Sequence, residues 1–288
     1  MQESIISTVI LPLALGVIML GLGLSLTIAD FTRVVKYPKA VIVGLTCQMI
    51  LLPVACFFIA RLFGLSPELA VGLMLLAASP GGPTANLFSH LANGDVALNI
   101  TLTAINSVLT LFSLPFIVAL SMNYFLGEAQ VITMPFNKII SVFAIVLIPV
   151  AIGMTIYRYL PQVSEKLKKP VKTASAILLV LVIVAAIIKD KEVLIEYFAQ
   201  IGFAALTFNL VSLLGGYFIP RLLRVEKRQA TAIGMEIGIH NGTLAIYIAL
   251  AVLNNSIMSV PPAIYSILMF FTAGAFAYYV NRKVATAT

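Results

Sequence analysis

The chain has 288 residues, of which 61% are hydrophobic and only 10% charged, against roughly 45–50% and about 25% in ordinary soluble domains. That balance excludes a soluble globular enzyme, a disordered regulator and a DNA-binding domain. The long apolar runs also exclude a β-barrel, whose strands show short alternating segments. The net charge of +7, from 18 Lys/Arg against 11 Asp/Glu, needs no nucleic acid if the basic residues fall in loops on one membrane face.

A membrane-crossing helix takes roughly 20 apolar residues. Charges, prolines and glycines divide the chain into nine such segments: Ile5–Ile28, Lys39–Phe63, Glu68–Asn93, Asp95–Phe125, Pro135–Leu160, Pro170–Ile188, Val193–Leu222, Glu226–Asn254 and Pro261–Val280. The N-terminus has no basic region and no small-residue cleavage site, so the first segment reads as a retained span and not a signal peptide. Cys47 and Cys56 both lie in the second segment. Nine helical residues separate them by roughly 13 Å, too far for a disulfide. They read as packing residues.

Loop charges orient the nine segments. With the N-terminus outside, 14 basic residues fall on one face and only Arg61, Lys138, Lys189 and Lys191 on the other. This asymmetry places the C-terminus in the cytoplasm and makes the chain a multi-pass protein of a cell membrane, with a bacterial inner membrane as the expected location. The lipid bilayer is then its constant partner.

Segments three and eight are interrupted, by Ser79-Pro80-Gly81-Gly82-Pro83 and by Gly238-Ile239-His240-Asn241-Gly242. Their approaches are alike: Ala70-Val71-Gly72-Leu73-Met74 against Ala232-Ile233-Gly234-Met235-Glu236, offset by 162 residues. Five spans apart, the two insert in opposite senses. That is the pattern of inverted-topology repeats carrying paired broken helices. Segments one to four then pair with six to nine, and the fifth has no partner. The whole chain, 1–288, reads as a single transmembrane transporter domain. Repeat one covers about 5–125 and repeat two about 135–282.

Non-helical backbone survives in a bilayer only where protein or a wet cavity satisfies it. Prolines such as Pro80 and Pro83 break the helix, freeing carbonyls on one side and amides on the other. The carbonyls suit a small hard cation, and the amides at a half-helix N-terminus suit an anion. Ten of the eleven carboxylates lie at the N-terminus, at span ends or in connectors, while Glu236 alone sits deep in a span. A charge there costs at least ~2.5 kcal/mol and needs a cation, a proton or a polar partner. Asn99 and Thr103 share a helix face, Asn86 follows the first break, and Gln48 sits mid-span. Such oxygen ligands suit Na⁺ by the logic that governs other hard cations, although each alone also suits an interhelical hydrogen bond. His240, within the second break, suits a proton relay, a substrate contact or a bond to a freed carbonyl. His90 reads as an interfacial side chain. There is no P-loop, no His-Glu-x-x-His and no paired catalytic carboxylates, so the chain is not expected to be an enzyme.

Three stretches together resemble the bile acid:sodium symporter family. They are Ser79-Pro80-Gly81-Gly82-Pro83-Thr84-Ala85-Asn86, then Asn93-Gly94-Asp95-Val96-Ala97-Leu98, and Glu236-Ile237-Gly238-Ile239-His240-Asn241-Gly242. The likeness runs from about Ile5 to Arg282. It implies an all-α polytopic fold with a core and a panel domain and two broken helices crossing at their unwound centres. It also implies that this chain lacks the first of ten helices common in bacterial members, in agreement with the unpaired fifth segment. One sodium site would use Asn86, Asn99, Thr103 and Glu236, with Ala85 standing where Ser is usual and offering only a backbone oxygen. A second would use Gln48, Glu236 and the backbone oxygens of Ile237 and Ile239. There His240 replaces the usual Gln, and imidazole nitrogen is a poorer ligand for Na⁺ than an amide oxygen. Pro83 stands where Thr is common beside the substrate cavity.

The leading expectation is therefore a Na⁺-coupled secondary transporter of an organic anion, bile-acid-like or a small carboxylate. Substrate would bind beside Pro83, Asn241, Gly242 and the half-helix N-termini, and the domains would rock to alternate access. A monomer is expected. The alternatives are proton coupling through Glu236 and His240, or a non-transporting membrane receptor.

Overall fold

The computed structural model describes residues 9–127, 136–189 and 191–285. The expected starts at Ile5 and Pro135, and the carboxylates Glu3, Glu128 and Asp190, lie outside the described residues. Apart from one isolated bridge, regular structure among the described residues is helical. Among the described residues, five helical stretches are long and apolar enough to cross a membrane: Pro38–Leu62, Val96–Leu126, Ile140–Tyr159, Ile201–Leu222 and Ile257–Arg282.

The first α-helix among the described residues, α1 (Leu11–Gly23), bends by 76° into the segment Ile28–Val35. The bend has a local cause. Thr27 and Asp30 form a capping box that starts α2 (Ile28–Thr32). The Thr27 backbone N–H and hydroxyl both donate to Asp30 Oδ2 at 2.7 Å. Arg33 then pairs with Asp30 Oδ1 at 2.7 Å. A first span running straight to Ile28 is thus corrected: the helix ends at Gly23, five residues earlier than the hydropathy suggested.

Next come α3 (Pro38–Thr46) and α4 (Leu52–Leu62), joined by a π-helical turn, Cys47–Leu51, that carries Gln48. Turns of this kind arise mostly as single bulges within α-helices and are frequent at functional sites. Both cysteines are free and buried. The third segment divides into α5 (Pro67–Ala78) and α6 (Thr84–Leu91). The unbroken α7 (Val96–Leu126) follows, capped by the Asp95 carboxylate accepting from Leu98 N–H at 3.0 Å.

Beyond it lie α8 (Phe136–Tyr159), α9 (Pro161–Lys189) and α10 (Lys191–Leu222). Here α9 begins nine residues before the expected Pro170, which lies inside it. Pro161 occupies the first helical position, where its missing N–H costs nothing, and the lysine-rich stretch 166–172 continues the helix. The eighth segment divides into α11 (Lys227–Gly238) and α12 (Gly242–Tyr247), extended by a second π-helical turn, Ile248–Val252. The last helix among the described residues is α13 (Val260–Ala285).

Two sets of contacts organise these elements. α1, α8 and α9 pack on one another, while α5, α7, α10, α11 and α13 share a second set. Hydrophobic attraction between helices is weak in lipid, so close backbone approach matters. The α1–α8 contact shows it: a Cβ built on Gly23 would lie 2.3 Å from the Val150 carbonyl oxygen. Gly23→Ala is therefore expected to destabilise the protein by ~1–3 kcal/mol through overpacking. The readout is the thermal midpoint of the purified protein in detergent, and an unchanged midpoint would contradict the packing.

Candidate functional site

The two interruptions meet. Ser79 leaves α5 with extended backbone (φ −76°, ψ 151°), as a residue before proline tends to. Gly81 and His240 form an antiparallel bridge. On either side of it the Gly82 N–H donates to the Ile239 carbonyl at 2.7 Å, and the Asn241 N–H donates to the Pro80 carbonyl at 2.9 Å. Backbone groups released by one break are thus satisfied by the other, as a low-dielectric setting demands. Asn241 Oδ1 also accepts from the Leu244 N–H at 3.1 Å and so starts α12. Gly242 fits because a side chain there would collide with Ser266 Oγ, 1.8 Å from the site of a Cβ.

Against this junction lies Glu236, on α11 and with no exposed surface. Thr103 donates to Glu236 Oε2 at 2.6 Å, and Asn106 Nδ2 donates to Oε1 at 3.3 Å. Both donors come from α7, so that helix holds the carboxylate from one side. Gly81 closes the other. A Cβ there would sit 2.2 Å from Glu236 Oε1, so only glycine lets the first break rest on the acid. Asn99, one turn before Thr103, donates to the Ala232 carbonyl at 2.8 Å. Ala232 is itself four residues before Glu236 on α11.

Gln48 and His240 share a different acceptor. Gln48 Nε2 donates to the Ser79 carbonyl at 2.8 Å, and His240 Nδ1 lies 3.3 Å from the same oxygen. That nitrogen donates in the tautomer that carries its proton. The His240 ring stacks on Phe208 at 5.7 Å and meets Tyr265 edge-on at 5.4 Å. Asn209 of α10 and the Tyr265 hydroxyl both donate to the Gly238 carbonyl, at 2.9 and 3.0 Å. The last carbonyl of α11 is therefore fully engaged.

Most telling are buried acceptors that receive nothing. Gln48 Oε1, Asn86 Oδ1, Asn99 Oδ1 and Asn106 Oδ1 are buried amide oxygens without a hydrogen-bond partner. A buried polar atom left unsatisfied costs ~1–3 kcal/mol, and four of one chemical type point to one kind of ligand. Neutral oxygens beside a single carboxylate suit a hard monovalent cation far better than a transition metal. Among the described residues no group of three or more His, Cys, Asp or Glu could hold a metal ion.

The expected site residues are thus placed as follows. Thr103 and Glu236 touch, Gln48 and His240 meet at one carbonyl, and Asn99 reaches the helix of Glu236. Ala85 is buried with its N–H on the Gly82 carbonyl, and Pro83 is half-buried beside it. The Ile239 carbonyl already accepts from Gly82. His90 is exposed. Two residues escaped the sequence reading. Asn106 lies seven positions beyond Asn99 and three beyond Thr103, on the same face of α7, and that spacing would have found it. Asn209 had no comparable signal, since nothing in the sequence of α10 ties it to the Gly238 carbonyl.

Apolar helices, two of them interrupted where a buried acid meets unpartnered oxygens, define a helical membrane protein with an irregular polar centre. The chain belongs to the sodium bile acid symporter family, whose profile matches residues 12–197. It is 28% identical over 270 residues to the uncharacterized sodium-dependent transporter YocS of Bacillus subtilis (strain 168), covering 94% of this chain and 82% of that one. It is 28% identical over 255 residues to the probable sodium/metabolite cotransporter BASS1, chloroplastic, of Arabidopsis thaliana, covering 88% of this chain and 62% of that one. The ileal sodium/bile acid cotransporter of Oryctolagus cuniculus is 24% identical over 286 residues, covering 97% of this chain and 82% of that one. These relatives are transporters and not enzymes. The chain is accordingly a membrane protein of a sodium-dependent transporter family.

Proposed function

We infer that the chain couples inward Na⁺ flow to symport of an organic anion by alternating access. The observation that carries this reading is the Glu236 carboxylate, fully buried and held by Thr103 and Asn106. Both of its oxygens accept hydrogen bonds, as an ionised carboxylate does. An ionised acid at membrane depth needs a counter-cation, and the amide oxygens of Gln48, Asn86 and Asn99 are acceptors still unmet. Na⁺ is the co-substrate that suits this set, with the Ala85, Ile237 and Ile239 backbone oxygens as further ligands and His240 standing at the edge of the second position.

Nine spans in two inverted repeats, about 5–125 and 135–282, give the frame for this function. The mutual packing of α1, α8 and α9 supports a panel, and the α5, α7, α10, α11 and α13 set supports a core. The N-terminus lies outside and the C-terminus in the cytoplasm. A monomer is sufficient, because both broken helices come from one chain. The anion, a bile-acid-like or small carboxylate, binds beside Pro83, Asn241 and Gly242. Rocking of core against panel then exposes it to each side in turn.

In proteoliposomes, uptake of a radiolabelled bile acid or small carboxylate is expected to require an inward Na⁺ gradient, with K⁺ as the control. Uptake unaffected by replacing Na⁺ would overturn the coupling. A second reading, proton coupling through Glu236 and His240, draws on His240 Nε2, which is buried without a partner. It is favoured instead if uptake follows a pH gradient in the absence of Na⁺.

A further inference from the structure

One exposed face of α8 changes character towards its end. Ile148, Ala151, Thr155 and Arg158 follow one another at spacings of three, four and three residues, so they share a side of the helix. All four are exposed. The face passes from aliphatic to cationic within roughly 15 Å, as a surface does where lipid tails give way to headgroups. Tyr157 and Tyr159 flank Arg158, and tyrosine is enriched at that depth of a membrane.

At the cationic end the surface is hollow. A cavity of about 880 Å³ lies between the end of α8, the first residue of α9, Pro161, and the bend after α1. That volume falls within the ~300–1,000 Å³ of small-molecule sites. Leu26, Ile28 and Met154 make its apolar wall, and Thr155, Tyr157 and Arg158 its polar one. Among the described residues, none of its lining comes from α5, α6, α7, α11 or α12, so it is separate from the Glu236 junction. Its surroundings are basic. Between positions 158 and 172 stand Arg158, Lys166, Lys168, Lys169 and Lys172 against Glu165 alone. Glu165 pairs with Lys168, whose ammonium also sits 4.5 Å from the centre of the Tyr157 ring. Asp30, the acid that caps against Thr27 in the cavity wall, is taken by Thr27 and Arg33. Arg158 rests 5.2 Å from the centre of the Tyr159 ring and, among the described residues, belongs to no ion pair. A guanidinium held against a ring keeps its fork of N–H donors for an oxyanion.

We propose that this cavity binds the headgroup of an anionic phospholipid, with the phosphate on Arg158 and an acyl chain along Ala151 and Ile148. Two observations select this occupant. The exposed aliphatic face of α8 continues from the cavity towards the Ile140 end, so a ligand with a tail gains contacts that a soluble anion cannot make. The excess of base over acid favours an anionic headgroup over a zwitterionic one, whose own cation the lysines of α9 repel. The Thr155 hydroxyl donates to the Ala151 carbonyl at 2.7 Å and keeps a lone pair to accept from a headgroup hydroxyl. A lipid bound there ties the bend after α1 to the end of α8 and the start of α9. The inference rests on the membrane setting of α8 and not on Na⁺ coupling.

The test adds lipid to the full-length protein purified in detergent and follows its thermal midpoint, since a ligand of the native state stabilises it by mass action. Dioleoyl phosphatidylglycerol is expected to raise the midpoint by about 3 °C or more beyond the effect of dioleoyl phosphatidylcholine. Arg158→Gln is expected to raise the phosphatidylglycerol concentration giving half of that shift roughly fivefold or more, because the phosphate loses its forked donor. Arg224→Gln makes the same change of charge at an exposed position outside the cavity and is expected to leave that concentration within about twofold, as surface charge alone is worth little. Soluble glycerol 3-phosphate, the same anion without a tail, is expected to give no shift. Each protein is compared with its own lipid-free midpoint, and the comparison of the two lipids needs no variant. Equal shifts from the two lipids, equal behaviour of Arg158→Gln and Arg224→Gln, or a full shift from glycerol 3-phosphate would each overturn the proposal.

Discussion

Glu236→Gln is expected to lower Na⁺-driven uptake at least a hundredfold while leaving a folded protein. The argument separates charge from shape. Glutamine matches glutamate in size, so the contact with Gly81 is kept and one oxygen still accepts from Thr103. The new amide nitrogen would face Asn106 Nδ2, donor against donor. Asn106 resolves this by rotating its amide, because its own oxygen is buried without a partner and becomes the acceptor. The fold therefore loses little. In the proposed site the ion would lose its one charged ligand. A unit charge about 4 Å from a cation is worth ~4 kcal/mol at an effective dielectric near 20, which is roughly a thousandfold in affinity. The paired measurement is uptake in proteoliposomes and binding of radioactive sodium to the detergent-solubilised protein. Full uptake by the variant under a Na⁺ gradient would remove Glu236 from the coupling mechanism.

Gly81→Ala is expected to be as damaging by a steric route. The added Cβ would lie 2.2 Å from Glu236 Oε1, 2.4 Å from its Cδ and 2.7 Å from Oε2. These are distances that real Cβ atoms do not adopt. Either the acid leaves Thr103 and Asn106, or the break shifts and its bridge to His240 is lost. Overpacking of this kind costs ~1–3 kcal/mol and occasionally more, and both escapes also disrupt the proposed cation site. Gly82→Ala is the control, since its Cβ would meet the His240 carbonyl oxygen at 3.1 Å, a contact that a shift of a few tenths of an ångström relieves. A double variant sharpens the test. Gly81→Ala combined with Glu236→Ala removes the colliding atoms, so it should regain much of the thermal stability lost by Gly81→Ala alone. Additive losses would show that the two residues do not touch, because contacting residues couple and distant ones do not.

Much of this centre was legible before any coordinates. The two Gly/Pro interruptions, the lone deep acid and the amides at Gln48, Asn86 and Asn99 all stand out against an apolar background, where each polar residue needs a reason. What escaped was of two kinds. The bend after Gly23 depends on Thr27 and Asp30 closing a capping box, a local hydrogen-bonding preference that hydropathy does not register. The nine-residue extension of α9 before Pro170 is hidden for a related reason. A lysine-rich stretch reads as a loop by composition, yet an exposed helix turn accepts it. The family resemblance agrees with the profile match over residues 12–197. Asn106 was in plain view as part of a four-three spacing, but spacing alone does not say that its oxygen lacks a donor. Asn209 needed the third dimension, since the Gly238 carbonyl it serves lies 29 residues away in sequence.

The backbone bridge between Gly81 and His240 constrains how the proposed rocking motion could run. Two peptide hydrogen bonds, at 2.7 and 2.9 Å, rivet together stretches lying some 160 residues apart in the chain. Pulling them asunder would strand donors and acceptors in a medium that offers no replacements. In the proposed rocking motion the rivet would therefore travel whole, carrying half-helices from both halves of the polypeptide as a single solid piece, with any pivot elsewhere in the molecule.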